Sequence, residues 1–159
     1  KIKITGEEKL KQYNLGFKWK VDKKINEFHK GKLKDKETPQ ILFIERCLQL
    51  LKDDGKMALV LPDGIFGNET NTYVRNWLRS QGKILAIIDL PLETFLPHTG
   101  TKPSFILFQK KIKFDVKKDY KIFMAIPKYC GHDRRGIQIN QDDIQNVSKE
   151  YQGWIKKNK

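Results

Sequence analysis

With 159 residues, 38% of them hydrophobic, the chain is long enough for one domain with its own core. No apolar run approaches the roughly 18 to 20 residues of a membrane-spanning helix, and the opening Lys-Ile-Lys-Ile-Thr lacks a signal-peptide core. A soluble, cytoplasmic protein with no membrane partner is therefore expected. The net charge of +13 is uneven: residues 1–37 carry 12 Lys against 6 acidic residues, 38–109 balance 7 against 7, and 110–159 carry 13 basic against 6 acidic. Basic flanks around a neutral centre suit a polyanion such as nucleic acid, although lysines kept for solubility alone give the same composition.

Taken in chain order, the first residue is Lys rather than Met, which favours a piece of a longer protein. Residues 1–37 read as a basic extension in which lysines are interleaved with Tyr13, Phe17, Trp19 and Phe28. They show no sustained period, and only 21–28 suggests a short helix. The aromatics either pack on a neighbouring surface or stack bases between the lysines. Thr38 and Pro39 are a helix start, a hydroxyl cap followed by proline at the first helical position. Ile41, Ile44, Cys47, Leu48 and Leu51 then recur at helical spacing, Leu42, Phe43 and Leu50 widen the apolar surface, and Asp53, Asp54 and Gly55 close the helix. Such a helix should be largely buried on a sheet.

Residues 57–61 and 84–88 are short continuous apolar runs, the pattern of strands covered on both faces. Between them lies a helix over 71–81 with Tyr73, Val74, Trp77 and Leu78 inward, which makes a βαβ unit with an expected right-handed crossover. A strand over 104–108 follows, then a lysine-rich turn, a strand over 120–126 and a weak amphipathic helix over 141–154. So few elements leave a sheet edge of hydrophobic strands without a partner. Cys47 and Cys130 stand far apart, which argues against a disulfide framework.

In an open α/β sheet, ligands sit beyond the carboxyl ends of the strands. Two loops occupy that place: the stretch 61–68, which holds Pro62, Asp63 and Gly64, and the stretch 90–103. No glycine-rich phosphate cradle, nucleophile elbow or metal-spaced His/Cys cluster occurs. Cys130 and His132 are half of a metal site at most, and no metal is expected. Asp89, ending its strand, is expected to be structural.

Residues 40–64, reading QILFIERCLQLLKDDGKMALVLPDG, and Glu93, Thr94 and Phe95 followed by TGTKPSFILF at 99–108, resemble the carboxyl-terminal half of the catalytic domain of adenine-N6 DNA methyltransferases. The likeness spans about 38–135 and is greatest to the modification subunits of type I restriction systems. It implies an α/β, partial Rossmann-like S-adenosylmethionine-dependent methyltransferase fold: the later βαβ strands plus a terminal antiparallel strand. It also implies an enzyme that methylates N6 of adenine in DNA, with separate specificity and restriction subunits as partners.

In that family S-adenosylmethionine is held by the first half of the sheet, and an Asn-Pro-Pro-Phe loop receives the flipped adenine. Neither motif occurs here. The resemblance therefore implies 1–37 as an extension after the catalytic loop, 38–126 as the second half of the α/β domain and 127–159 as a basic extension. It implies no catalytic or cofactor-binding residue in this chain, which alone should be inactive. By position, Phe95 would stack on the extruded base, with anchoring of its own loop as the other reading. Pro62, Asp63 and Gly64 would floor the site. Thr99, Gly100, Thr101 and Lys102 would approach DNA, although a plain hairpin would also use that glycine. Arg134 and Arg135, in the 131–136 segment that the resemblance shares but does not explain, are candidate backbone contacts. The alternative reading is a non-enzymatic, basic nucleic-acid-binding module built on half of this fold.

Overall fold

The computed structural model describes residues 2–22, 27–111 and 119–158. The chain divides into two compact units, Lys1–Met57 with Ile65–Lys83 and Gln109–Lys117, and Ala58–Gly64 with Ile84–Phe108 and Lys118–Lys159.

In the first unit, β1 (Ile4–Thr5) pairs antiparallel with β4 (Lys36–Glu37). The short helix α1 (Glu7–Leu10) and a 3-10 turn at Asn14–Gly16 lead into β2 (Phe17–Asp22), which pairs antiparallel with β3 (Glu27–Leu33) in a ribbon whose register shifts between Phe17 and Trp19. This overturns the helix expected over 21–28 at both of its described ends, since Val21 and Asp22 finish β2 while Glu27 and Phe28 open β3. The residues between them lie outside the described set. Phe17 and Trp19 alternating with Lys18 and Lys20 give the period of 2 that a half-solvated strand requires.

The helix α2 (Pro39–Leu50) starts after Thr38 with Pro39 in its first turn, as expected, but the Thr38 hydroxyl makes no capping bond and donates instead to Glu37 at 3.2 Å. It buries Ile41, Leu42, Ile44 and Leu48, while Phe43 and Leu50 remain 55% and 72% exposed, so the apolar surface is narrower than its sequence suggested. Glu45 on the same helix is 2% exposed. Its carboxylate accepts the amides of Asn14 at 2.7 Å and Leu15 at 2.8 Å, and so pins the 3-10 turn ahead of β2. The helix α4 (Thr72–Ser80) buries Val74, Trp77 and Leu78, the face its spacing predicted. The Tyr73 hydroxyl donates to Glu37 at 2.8 Å, and Lys34 pairs with the same carboxylate. Burial works to raise the Glu37 pKa, yet Lys34, the Thr38 amide and Tyr73 together hold it below the ordinary value.

A four-stranded sheet is ordered β5-β7-β6-β8, with β5 (Lys56–Pro62), β6 (Gly82–Asp89), β7 (Pro103–Lys110) and β8 (Phe123–Ala125). The Lys110 amide donates to Gly55 at one end of β5, and the Asp63 amide donates to Lys102 at the other, so β5 and β7 run antiparallel. Lys111 donating to Gln81 joins the end of β7 to the start of β6 in the same sense. A Cβ at Gly82 would lie 2.1 Å from the Gln109 carbonyl oxygen, which is why glycine stands there. β8 is parallel to β6. The antiparallel later strand is thus as the resemblance implied, and it is inserted between β5 and β6, the two strands of the βαβ unit. The strand expected over 120–126 shrinks to β8, and the lysine-rich turn before it falls outside the described residues.

The chain then forms a hairpin of β9 (Cys130–His132) and β10 (Gln138–Asp142), neither foreseen, before α5 (Ile144–Lys157). Because residues 141–142 end β10, the last helix begins later than its amphipathic pattern suggested. α5 packs Val147, Tyr151 and Trp154 against Ala86 and Phe123, and the Phe123 ring meets Tyr151 and Trp154 edge-on at 5.3 and 5.9 Å. Among the described residues no helix is long and apolar enough to cross a membrane.

Candidate functional site

Every site residue named from the sequence lies in the second unit, beyond the carboxyl ends of β5 and β6 or in the β9–β10 hairpin. They form two clusters. In the first, β5 ends at Pro62 and the Asp63 amide is bound by the Lys102 carbonyl. The Asp63 carboxylate accepts the hydroxyl of Ser104, a residue 2% exposed, at 3.0 Å. Gly64 opens the one-turn helix α3 (Gly64–Gly67). The Lys102 ammonium reaches Asp89 at the end of β6, 2.8 Å away, and this hydrogen bond holds its pKa above the ordinary lysine value. Lys102 thus braces two strand ends, and Asp89 is the brace's other half. The remaining Asp89 oxygen is buried with no hydrogen-bond partner among the described residues. A buried acceptor in that state normally costs about 1–3 kcal/mol, so it marks the position as unusual.

The second cluster is built on the loop between β6 and β7. Leu92–Phe95 forms a 3-10 turn, closed by the Thr94 hydroxyl donating to Pro91 at 2.7 Å and the Leu96 amide donating to Glu93 at 2.9 Å. Phe95 is 42% exposed, so its ring is not sunk in the core as a pure anchor would be. The loop continues with Thr99, whose amide donates to the Phe95 carbonyl, and with Thr101, whose amide donates to the Thr99 hydroxyl. Gly100 between them is exposed, and a Cβ there would meet nothing within 4 Å. The fold gives no steric reason for that glycine.

Facing the 3-10 turn is the β9–β10 hairpin. The Asp133 carboxylate accepts the amides of Arg135 at 2.8 Å and Ile137 at 2.9 Å, which close the turn and hold its pKa below the ordinary value. Gly131 and Gly136 have φ of 83° and 80°, the left-handed region that other residues enter only with strain. At Gly136 a Cβ would also come within 3.2 Å of the Pro97 ring, a tight contact that would press the hairpin and the loop apart by a few tenths of an ångström. The Arg134 guanidinium donates to Glu93 at 3.1 Å. Glu93 is held below the usual carboxylate range first by its own backbone amide and then by Arg134. Arg135 leans on Asp133.

Between the loop and the hairpin is an open cavity of about 440 Å³, lined by Thr94, Phe95, Leu96, Pro97 and His98 on one side and by Cys130, Gly131, His132, Gly136 and Gln138 on the other. That volume is within the range of small-ligand sites. It brings Phe95 together with the 131–136 segment. Its lining does not include Pro62, Asp63 or Gly64, nor residues 99–102. Sequence reasoning missed the partners Glu93, Asp133 and Ser104; the paired glycines around His-Asp-Arg-Arg were the available sign that a tight turn stood there. The lining contains no carboxylate to meet the ammonium and ribose hydroxyls of S-adenosylmethionine, so this cavity does not fit that cofactor. Within it, Cys130 Sγ lies 3.7 Å from His132 Nε2, and no third metal-ligating side chain joins them among the described residues.

The model of the N-6 DNA methylase family matches residues 11–159. The methylase subunit of the type I restriction enzyme EcoEI from Escherichia coli is 36% identical over 70 residues, which are 43% of this chain and 14% of that subunit. A solved protein from Listeria monocytogenes, assigned to the class I S-adenosylmethionine-dependent methyltransferases, is similar over 92% of this chain and 38% of its own, with a TM-score of 0.57 and 21% identity. A chain from a solved type I restriction-modification assembly is similar over 77% of this chain and 25% of its own, with a TM-score of 0.55 and 21% identity. The two structural likenesses establish a class I methyltransferase-type α/β fold. The chain spans only a small part of the curated relative's length.

Proposed function

Since the chain belongs to the N-6 DNA methylase family, we propose that it is the later part of the catalytic domain of a DNA methyltransferase acting on N6 of adenine. The supporting observation is the family match over 11–159, and the half-exposed Phe95 beside an open cavity agrees with it. In this reading Phe95 stacks on the extruded adenine, and the hairpin carrying Arg134 keeps the Phe95 loop in place through Glu93. The brace of Asp63, Ser104, Lys102 and Asp89 fixes the floor formed by Pro62, Asp63 and Gly64. Thr99, Gly100 and Thr101 approach the DNA backbone, and the empty space around Gly100 leaves room for it. Arg134 and Arg135 stand at the rim. S-adenosylmethionine, which supplies the methyl group, is held by another part of the longer protein. This chain alone transfers none. Its partners are DNA and the specificity and restriction subunits of a type I system, and its compartment is the cytoplasm.

The test is methyl transfer to DNA by the longer protein that contains this chain, compared with its Phe95→Ala and Phe95→Tyr forms. Base stacking on an aromatic side chain is worth about 1–3 kcal/mol, so Phe95→Ala should lower the rate about 5- to 150-fold while Phe95→Tyr restores most of it. Full activity of Phe95→Ala, or methyl transfer by the isolated chain, would overturn this reading.

A further inference from the structure

The β2–β3 ribbon lies far along the chain from every residue assigned above, and its two faces differ. Trp19 and Lys30 are cross-strand partners on one face. That face is fastened: Trp19 Nε1 donates to the Asn14 carbonyl at 3.0 Å, and Lys30 donates to the Asn14 side chain at 3.1 Å while its ammonium stands 3.8 Å from the Phe17 ring centroid. Lys20 and His29 are partners on the opposite face, and Lys18 follows Lys20 by the period of 2. With Lys32, and with Lys30 although its ammonium is turned to Asn14 and the Phe17 ring, they line a groove of about 390 Å³ whose lining holds no acidic residue. Gly31 sits across from Lys18, 3.1 Å from its carbonyl oxygen to an added Cβ, so the groove floor there is bare backbone. Lys18, Lys20 and Lys32 are exposed, and none pairs with a carboxylate among the described residues.

We propose that this ribbon is a second, sequence-independent contact to duplex DNA, with Lys18, Lys20 and Lys32 neutralising phosphates. A two-stranded ribbon is one of the two elements a B-form major groove admits, and three ammonium groups with no carboxylate partner among the described residues, beside a bare backbone floor, suit the phosphates along its edge. The proposal deepens the reading of DNA as substrate by giving it a surface outside the Phe95 region. Lysines on an open-edged ribbon also discourage pairing between chains, and that role alone would leave DNA binding untouched.

The experiment measures binding of the chain to a fluorescent duplex of mixed sequence between 50 and 200 mM salt. Each phosphate contact adds about 0.9 to the slope of log K against log salt, so K18Q/K20Q/K32Q should lower it by about 2.7. The charge-matched control K149Q/K156Q/K157Q on α5 should change it by less than about 1, and K18R/K20R/K32R should keep the original slope. Equal losses from both glutamine triples, loss in the arginine triple, or no duplex binding at 50 mM salt would overturn the proposal, as would tighter binding of single-stranded DNA or RNA of equal length. The proposed enzymatic function fails separately: methyl transfer with an unaltered slope in the glutamine triple defeats only the ribbon, and a lowered slope without methyl transfer in the longer protein defeats only the enzyme.

Discussion

Replacing Glu45 tests how the first unit holds the base of the ribbon. Its carboxylate is 2% exposed and receives three donors: the Asn14 amide at 2.7 Å, the Asn14 side-chain amide at 3.0 Å and the Leu15 amide at 2.8 Å. Leu15 is fully buried, so Glu45→Ala leaves its N–H without a partner at about 1–3 kcal/mol. Asn14 is exposed and can turn to water, so its lost bonds add only about 1 kcal/mol. The expected destabilisation is about 3 kcal/mol, or about 6–12 °C in Tm for a chain of this size. Glu45→Gln keeps one acceptor oxygen and should cost about half as much. Urea unfolding gives the magnitude, and hydrogen exchange locates it, with the Leu15 amide exchanging much faster in Glu45→Ala than in the parent. A Glu45→Ala protein within about 0.5 kcal/mol of the parent, with Leu15 still protected, would refute the view that this buried carboxylate pins the turn.

Gly136→Ala, with its φ of 80° and a Cβ 3.2 Å from Pro97, should destabilise by about 1–2 kcal/mol and displace the hairpin from the loop, whereas Gly100→Ala, in open space, should stay within about 0.5 kcal/mol by thermal melting. Equal effects would contradict the packing described. Arg134→Ala should raise the Glu93 pKa towards its ordinary value and leave Asp133 low, because Asp133 is held first by the Ile137 amide; carbon-detected NMR titration reads both. Since both carboxyls are depressed in the folded protein, the stability they lend is present above the ordinary carboxylate range and is lost as pH falls below about 4. The hairpin's amide resonances should therefore broaden or shift there first.

The sequence made the sheet's central strands and α4 legible because continuous apolar runs and a 3.6-residue stripe leave few other solutions. Ala86, Ile106 and Phe108 are as buried as their runs implied, and Thr38 with Pro39 located the start of α2. The β2–β3 ribbon was hidden although Phe-Lys-Trp-Lys-Val alternates, because lysine is a poor strand former and the segment is half solvated. Phe43 and Leu50 were expected to widen a buried face, yet they are exposed; helical spacing gives a side chain's direction and not what covers it. In the candidate site, the placement of Phe95 and Lys102 on loops beyond strand ends followed from topology. The Arg134 bond to Glu93, 41 residues away, and the Ser104 bond to Asp63, likewise 41 away, did not, since polar partners that distant leave no local pattern. The 131–136 segment was noticed without a role, and its role as the wall facing Phe95 required coordinates.

The measurement that bears most directly on the central claim is mass spectrometry of nucleosides from DNA incubated with S-adenosylmethionine and the longer protein containing this chain. The account predicts N6-methyldeoxyadenosine as the product, formed in much reduced yield by the Phe95→Ala form. Methylcytosine as the product, or no methylated nucleoside from a folded protein supplied with its partner subunits, would contradict it.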